Sequence, residues 1–285
     1  MKSVVITGVS TGIGYGATEV LIGKGFHVFG SVRNTTDAAR LSAQFGTGFT
    51  PLTFDVTDQQ GIKAAADFVR QRLQGQRLSG LVNNAGIAST GPLLEIEPEA
   101  VRHALEVNLI GPVMVTQAFA PLLGVDPLLN GPTGRIVNIS SAAGVRALPF
   151  LGSYAATKFA LEGYSEALRR ELMMFSIDVI VIGPGPVKTA IWDKAEELDL
   201  EDDATSPYRS IMENFQKVFV ARGRKGYSPQ HLGLLIHKAL TSPNPRVRYA
   251  AVNDPLPEKL LTRYAPKRLL DRVIGKKLGL LAKKR

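Results

Sequence analysis

Alternation is the feature that most constrains what this chain can fold into. Short β-branched runs take turns with longer helical patterns from Ser3 to Val252. Strands are expected at Ser3–Thr7, His27–Val32, Thr50–Asp55, Gly80–Asn84, Arg135–Ser140, Asp178–Ile182 and Val247–Val252. Helical patterns fill the gaps, among them Ile13–Gly23, Gln59–Leu73, Glu99–Leu123 and Tyr154–Phe175. Residues 177–182 are apolar at nearly every position, as a strand covered on both faces must be. Such a pattern calls for right-handed βαβ crossovers and a parallel sheet with helices on both faces. No linker, composition shift or repeat interrupts it, so one α/β domain is expected over residues 1–257.

Charge and composition narrow the function. The chain carries 34 Lys and Arg against 25 Asp and Glu, a formal charge of +9. Residues 1–258 hold 24 basic and 24 acidic side chains, whereas residues 259–285 hold ten basic ones and only Asp271 as an acid. The body is neutral, which argues against a nucleic-acid-binding face built into the fold. With no Cys, there is no disulfide scaffold, thiolate metal site or Cys nucleophile. The four His (27, 103, 231 and 237) share no metal-ligand spacing, and no metal is expected. A strand-like run begins almost at Met1, and no stretch approaches 18 uninterrupted apolar residues. A cytoplasmic protein is the expectation.

Directly after the first strand comes Gly8-Val9-Ser10-Thr11-Gly12-Ile13-Gly14, which runs into a helix. Glycines at this spacing let the backbone turn sharply and approach a ligand, and the helix N-terminus offers free N–H groups to a pyrophosphate. Gly8, Ser10, Thr11, Gly12, Ile13 and Gly14 are therefore dinucleotide-binding candidates, although many tight βα turns bind nothing. At the end of the second strand, an acid would accept from the ribose 2′-hydroxyl of NAD. Val32 stands there instead, followed by Arg33 and Asn34, which favours NADP(H) over NAD(H).

Further along lie Asn83-Asn84-Ala85-Gly86, Ser141, Tyr154-Ala155-Ala156-Thr157-Lys158 and Pro184-Gly185-Pro186-Val187-Lys188-Thr189. This ordered set, with the Gly-rich turn, resembles the short-chain dehydrogenases/reductases over roughly residues 3–190. The resemblance implies a Rossmann-type doubly wound sheet of seven parallel strands in the order 3-2-1-4-5-6-7, assembled as a homodimer or homotetramer. It also implies catalytic roles for Asn108, Ser141, Tyr154 and Lys158, with Asn108 linking Lys158 to a proton-relay water. Cofactor contacts would come from Asp55, Val56, Asn84, Ala85 and Gly86 on the adenosine side. Tyr154, Lys158, Pro184, Gly185, Val187 and Thr189 would serve the nicotinamide side. The chemistry stands on its residues as well. Tyr154 and Lys158 are four apart and share a helix face. A nearby ammonium favours the phenolate, so Tyr154 could exchange a proton with a substrate oxygen that Ser141 also bonds. Singly, each has a plain structural reading: an exposed helix face, a Ser-Ser cap, a polar residue inside a helix.

Apolar residues dominate the segments expected to shape the substrate cavity, namely Val145, Phe150, Ile191, Trp192, Met212 and Phe215. They point to a bulky hydrophobic ketone, aldehyde or alcohol, and the resemblance leans toward the steroid- and retinol-dehydrogenase-like branch. A non-catalytic dinucleotide sensor or scaffold, or an epimerase or dehydratase on the same fold, are the alternatives. A substrate-covering segment is expected at about 190–226, including the acidic run Asp193–Asp203. The extension 258–285 alternates cations with Leu, Val and Ile, a basic amphipathic pattern weakened by Gly275 and Gly279. Packing on its own domain or a second subunit is preferred for it over peripheral membrane contact.

Overall fold

β1 (Lys2–Ile6) occupies the middle of the sheet because both its faces are apolar: Val4, Val5 and Ile6 are fully buried. The computed structural model describes residues 2–189, 206–251 and 265–281. The other strands are β2 (Phe26–Val32), β3 (Phe49–Thr53), β4 (Gly80–Asn83), β5 (Arg135–Ile139), β6 (Asp178–Pro184) and β7 (Arg248–Ala251). All seven are parallel, in the expected order β3-β2-β1-β4-β5-β6-β7. Side chains alternate across the sheet. Val4, Ile6, Val28 and Ile180 face one core with α1 (Gly12–Gly23), α2 (Thr35–Phe45) and α8 (Pro229–Thr241). Val5, Phe29, Ile136 and Val179 face the other, with α3 (Gln59–Leu73) and α5 (Gly111–Ala120).

The strand order reverses between β2-β1 and β4, so the crevice lies beyond the carboxyl ends of β1 and β4. The one helix expected at Glu99–Leu123 is a composite. α4 (Pro98–Leu105) passes through a π turn (Glu106–Ile110) into α5 and ends in a second π turn (Pro121–Val125). By length and mean hydropathy the whole run Pro98–Val125 would suffice to cross a bilayer, a property missed by counting uninterrupted apolar residues. Half of its most apolar window is buried inside the protein.

α6 (Gly152–Glu171) carries the Tyr/Lys pair, and α7 (Arg209–Gly223) follows the acidic run. In the extension, α9 (Lys267–Leu278) forms despite its glycines. Gly275 is buried, with the Leu281 side chain against its Cα, and Gly279 ends the helix in a left-handed turn at φ +78°. Leu278 and Leu280 pack onto a small cluster with Phe150, Leu151, Met212 and Phe215. Leu269 and Val273 lie on the outer side, 55% and 57% exposed.

Candidate active site

The turn after β1 is built so that only glycine fits it. Gly8 and Gly12 adopt left-handed φ of +69° and +62°. A Cβ at Gly14 would collide with the Gly8 carbonyl and come within 2.5 Å of Asn84 Nδ2. Neighbouring strands hold the turn. Thr7 Oγ1 accepts from the amides of Asn84 (2.9 Å) and Ala85 (3.0 Å), and Asn84 Nδ2 donates to the carbonyls of Thr7 (2.8 Å) and Gly8 (3.0 Å). The Gly8 amide donates to Ser31 Oγ at 3.0 Å. Asn84 and Ala85 thus brace the turn itself. At the start of α1 the Thr11 side chain makes no capping hydrogen bond, so the first amides of that helix remain available to an anion. Ser10, Gly12 and Ile13 are half-buried beside them. This cradle, which a side chain would fill, fits a dinucleotide's phosphates.

Around the rim, Arg33 is exposed. Asn34 caps α2, its Oδ1 accepting from the Asp37 amide at 2.8 Å. Sequence reasoning missed Arg40, whose Nη2 donates to the Ser10 carbonyl (2.9 Å) and to Asp37 Oδ1 (2.7 Å). The Arg40 hydrogen bond chiefly holds the Asp37 carboxyl below its usual range. An Asp/Arg pair three apart on a helix was readable; its reach to a carbonyl thirty positions upstream was not. Asp55 Oδ1 takes the Thr57 amide (3.0 Å) and hydroxyl (2.8 Å), while Val56 is buried against Gly111. From the far side, the Thr189 methyl lies 3.3 Å from where a Gly12 Cβ would stand. The motif before it is pinned by a Gly185 amide bond to the Ala251 carbonyl (2.8 Å) and by a β-bridge from Val187 to Tyr227. Pro184 closes β6.

Four polar residues meet at the ends of β4 and β5. Asn108 sits fully buried in the π turn. Its Nδ2 donates to the Ile87 carbonyl (2.9 Å) and Thr157 Oγ1 (3.0 Å), and its Oδ1 accepts from the Ile87 amide (2.9 Å). That side chain is committed to Ile87 and Thr157. Thr157, a second residue not singled out from the sequence, joins it to the turn of α6 that bears Tyr154 through a bond to the Tyr154 carbonyl (2.8 Å). Gly86 lies between Asn108 and Lys158, where a Cβ would sit 3.0 Å from Asn108 Oδ1 and 3.7 Å from Lys158 Nζ.

Lys158 is buried and its Nζ donates to the Ile139 carbonyl at 2.9 Å. Burial pulls its ammonium down to about 8, against the opposing charge of Glu162. The half-buried Tyr154 shares a hydrogen bond with Ser141. Burial raises the phenol above its ordinary value and the Ser141 bond offsets only part of that. The expected lowering by a nearby ammonium is not what this geometry produces, because Nζ turns to Ile139 and lies 5.8 Å from the phenol ring centre. Ser141 also accepts from the Ala143 amide at 3.0 Å, which fixes its position. The neighbouring Ser140 hydroxyl is buried under Gly144 and has no hydrogen-bond partner among the described residues.

Of the residues expected to shape the substrate cavity, Phe150, Met212 and Phe215 come together, with Phe150 and Phe215 ring centres 5.4 Å apart. Val145 stands outside that cluster, 45% exposed. Ile191, Trp192 and the acidic run lie outside the described residues. Phe150 holds a left-handed φ of +64°, unusual for a bulky side chain, four positions before Tyr154.

A family model described as short chain dehydrogenase matches residues 2–199. The chain is 34% identical to the NADPH-dependent 3-dehydrocapnine reductase of Ornithobacterium rhinotracheale, covering 98% of each chain. It is also 34% identical to retinol dehydrogenase 16 of Homo sapiens, over 96% of this chain and 87% of that one. A solved short-chain dehydrogenase from Streptomyces avermitilis superposes with a TM-score of 0.77 at 26% identity, covering 99% of this chain and 98% of the other.

Proposed function

Because the chain belongs to the short-chain dehydrogenases, in their steroid- and retinol-like branch, and is an NAD(P)-dependent oxidoreductase, we propose what it does with that fold. It interconverts a bulky hydrophobic ketone or aldehyde and its alcohol, using NADP(H) and Tyr154 as the proton-transferring group. The observation that carries this reading is the convergence of Ser141, Tyr154 and the buried Lys158 at the ends of β4 and β5, beside the phosphate cradle.

The turn Gly8–Gly14 and the first amides of α1 would hold the diphosphate. Arg33, with Arg40 behind it, would face the ribose 2′-phosphate, and a relative named for its NADPH dependence supports that preference. Asp55, Val56, Asn84, Ala85 and Gly86 would border the adenosine side. Lys158, Tyr154, Pro184, Gly185, Val187 and Thr189 would border the nicotinamide. When bound, the nicotinamide supplies or accepts the hydride. Ser141 Oγ and the Tyr154 hydroxyl, which lie within a hydrogen bond of each other, would donate to one substrate oxygen, and each such donor is worth about 10²–10³ in rate. Reduction draws a proton from Tyr154, which burial keeps protonated at neutral pH. Asn108 with Thr157 fixes the helix turn that carries Tyr154 and Lys158.

Phe150, Met212 and Phe215 make the neighbourhood apolar, which supports a bulky hydrophobic substrate. We extend the proposal to a cytoplasmic homodimer or homotetramer. A carbonyl panel read by cofactor absorbance tests it. NADPH should be consumed with polycyclic or long-chain carbonyls, at least about tenfold more efficiently than NADH. Turnover confined to small polar keto acids, or equal use of NADH, would count against it.

A further inference from the structure

One ion pair behind the site has no part in the mechanism above. Arg248 lies on β7, the edge strand. Its Nε donates to both carboxylate oxygens of Glu162 at 3.1 Å, and its Nη2 donates to the Ser141 carbonyl at 3.4 Å. Glu162 is on α6, one helical turn beyond Lys158. Two glycines make room for the pair. A Cβ at Gly183 of β6 would collide with the guanidinium. A Cβ at Gly144 would come within 3.1 Å of Glu162 Cγ and 2.6 Å of Ser140 Oγ. Strands β6 and β7, the Ser141 turn and α6 therefore meet on one guanidinium–carboxylate contact.

We propose that Arg248 and Glu162 are positioning residues, which hold the Ser141 turn against Tyr154 and fix a carboxylate one helical turn beyond Lys158. The proposal rests on the reading of Ser141, Tyr154 and Lys158 given above. Neither residue touches reacting atoms. An exposed ion pair would contribute little, but these side chains are only 25% and 18% exposed and share a third partner, the carbonyl of Ser141. Arginine's fork can serve the carboxylate and that carbonyl at once, which a lysine cannot do. The same carboxylate opposes the effect of burial on Lys158. Among the described residues, Tyr154 and Glu162 of α6 face Lys158, and Arg248 of β7 reaches it only through Glu162. Asn108 and Ser141 contribute polar groups that do not titrate, and Glu99, Arg102 and His103 of α4 stay on its exposed side.

Glu162→Gln, Arg248→Gln and Arg248→Lys test the pair, each compared with the parent. Melting temperature, the pH dependence of NADPH binding by nicotinamide fluorescence, and kcat and KM against pH would be recorded. Glu162→Gln should move the alkaline limb of NADPH binding to lower pH, because Lys158 loses its counter-charge. Arg248→Gln should move it to higher pH, because the carboxylate is no longer neutralised. Both should lower kcat about tenfold with KM nearly unchanged, as a small misplacement of Ser141 would. Arg248→Lys should keep the parental limb and recover only part of kcat. Limbs that stay put in both Gln variants, with kcat falling only as melting temperature falls, would leave the pair a merely structural bridge and overturn the proposal. If Glu162→Gln does not fold, Arg248→Lys decides: full parental kcat overturns it. If the parent itself reduces no carbonyl, the catalytic reading fails, and the NADPH-binding limb still decides the role of the pair.

Discussion

Lys158 carries an electrostatic cost at the site. Its ammonium falls from an ordinary 10.5 to about 8 on burial, so the charged form is disfavoured in the fold. Between those two pH values the unfolded chain keeps a proton that the folded chain has released, and stability rises with pH across that window. Below pH 8 the full cost is present. Lys158→Met should therefore raise stability at pH 7 by about 1–2 kcal/mol, after allowing for the Ile139 carbonyl left without its partner. The gain should vanish near pH 10, while turnover is lost at every pH. Calorimetry at the two pH values checks this; a variant less stable than the parent at pH 7 would contradict it. At this scale, most site residues were legible only as a set. The family resemblance implies a serine thirteen positions before Tyr154, which is Ser141 and not Ser140. The hydrogen bond to Tyr154 and the burial of Ser140 under Gly144 give the physical reason. Arg40, Thr157 and Arg248 carry no local signature, because their partners lie far away in the chain.

Among the elements, the strands were readable to within two residues, since strands buried on both faces leave short, continuous β-branched runs. The π turn at Glu106–Ile110 was not, because one widened helical turn leaves the apolar pattern on either side intact. Yet that turn carries Asn108, whose side chain bonds Thr157. Thr157→Val should reduce kcat about tenfold with little change in NADPH affinity; steady-state kinetics beside a binding titration would show it. Helix α8 crosses α1 at close backbone approach. A Cβ at Gly233 would lie 2.7 Å from the Gly16 carbonyl, and one at Gly16 would lie 2.5 Å from the Pro229 carbonyl carbon. Gly233→Ala should thus cost about 1–3 kcal/mol in urea unfolding. Gly163→Ala, at an open position of α6, should gain about 0.5–1 kcal/mol. Similar effects from the two substitutions would refute close packing as the reason for Gly233.

For the whole molecule, the excess charge belongs to the extension, and the structure divides that segment's apolar residues. Leu278 faces inward, with Leu280 just beyond the helix, onto the cluster of Phe150, Met212 and Phe215, while Leu269 and Val273 face out among cations. Neighbouring chain spacing could not reveal which apolar residues would find a surface, because that depends on where α7 lies. Removing residues 266–285 should raise KM for bulky carbonyls severalfold and leave NADPH affinity unchanged, if the cluster borders the substrate as proposed above, away from the phosphate cradle. Equal loss of both would show that the extension supports the entire fold. The central claim is narrower: one phenol moves the proton while the rest of the site holds the cofactor. Tyr154→Phe removes a single oxygen, so NADPH binding and turnover of a bulky ketone can be measured on the same sample. The account predicts NADPH bound within about threefold of the parental affinity and kcat reduced at least about a thousandfold. Turnover retained within tenfold of the parent would contradict it.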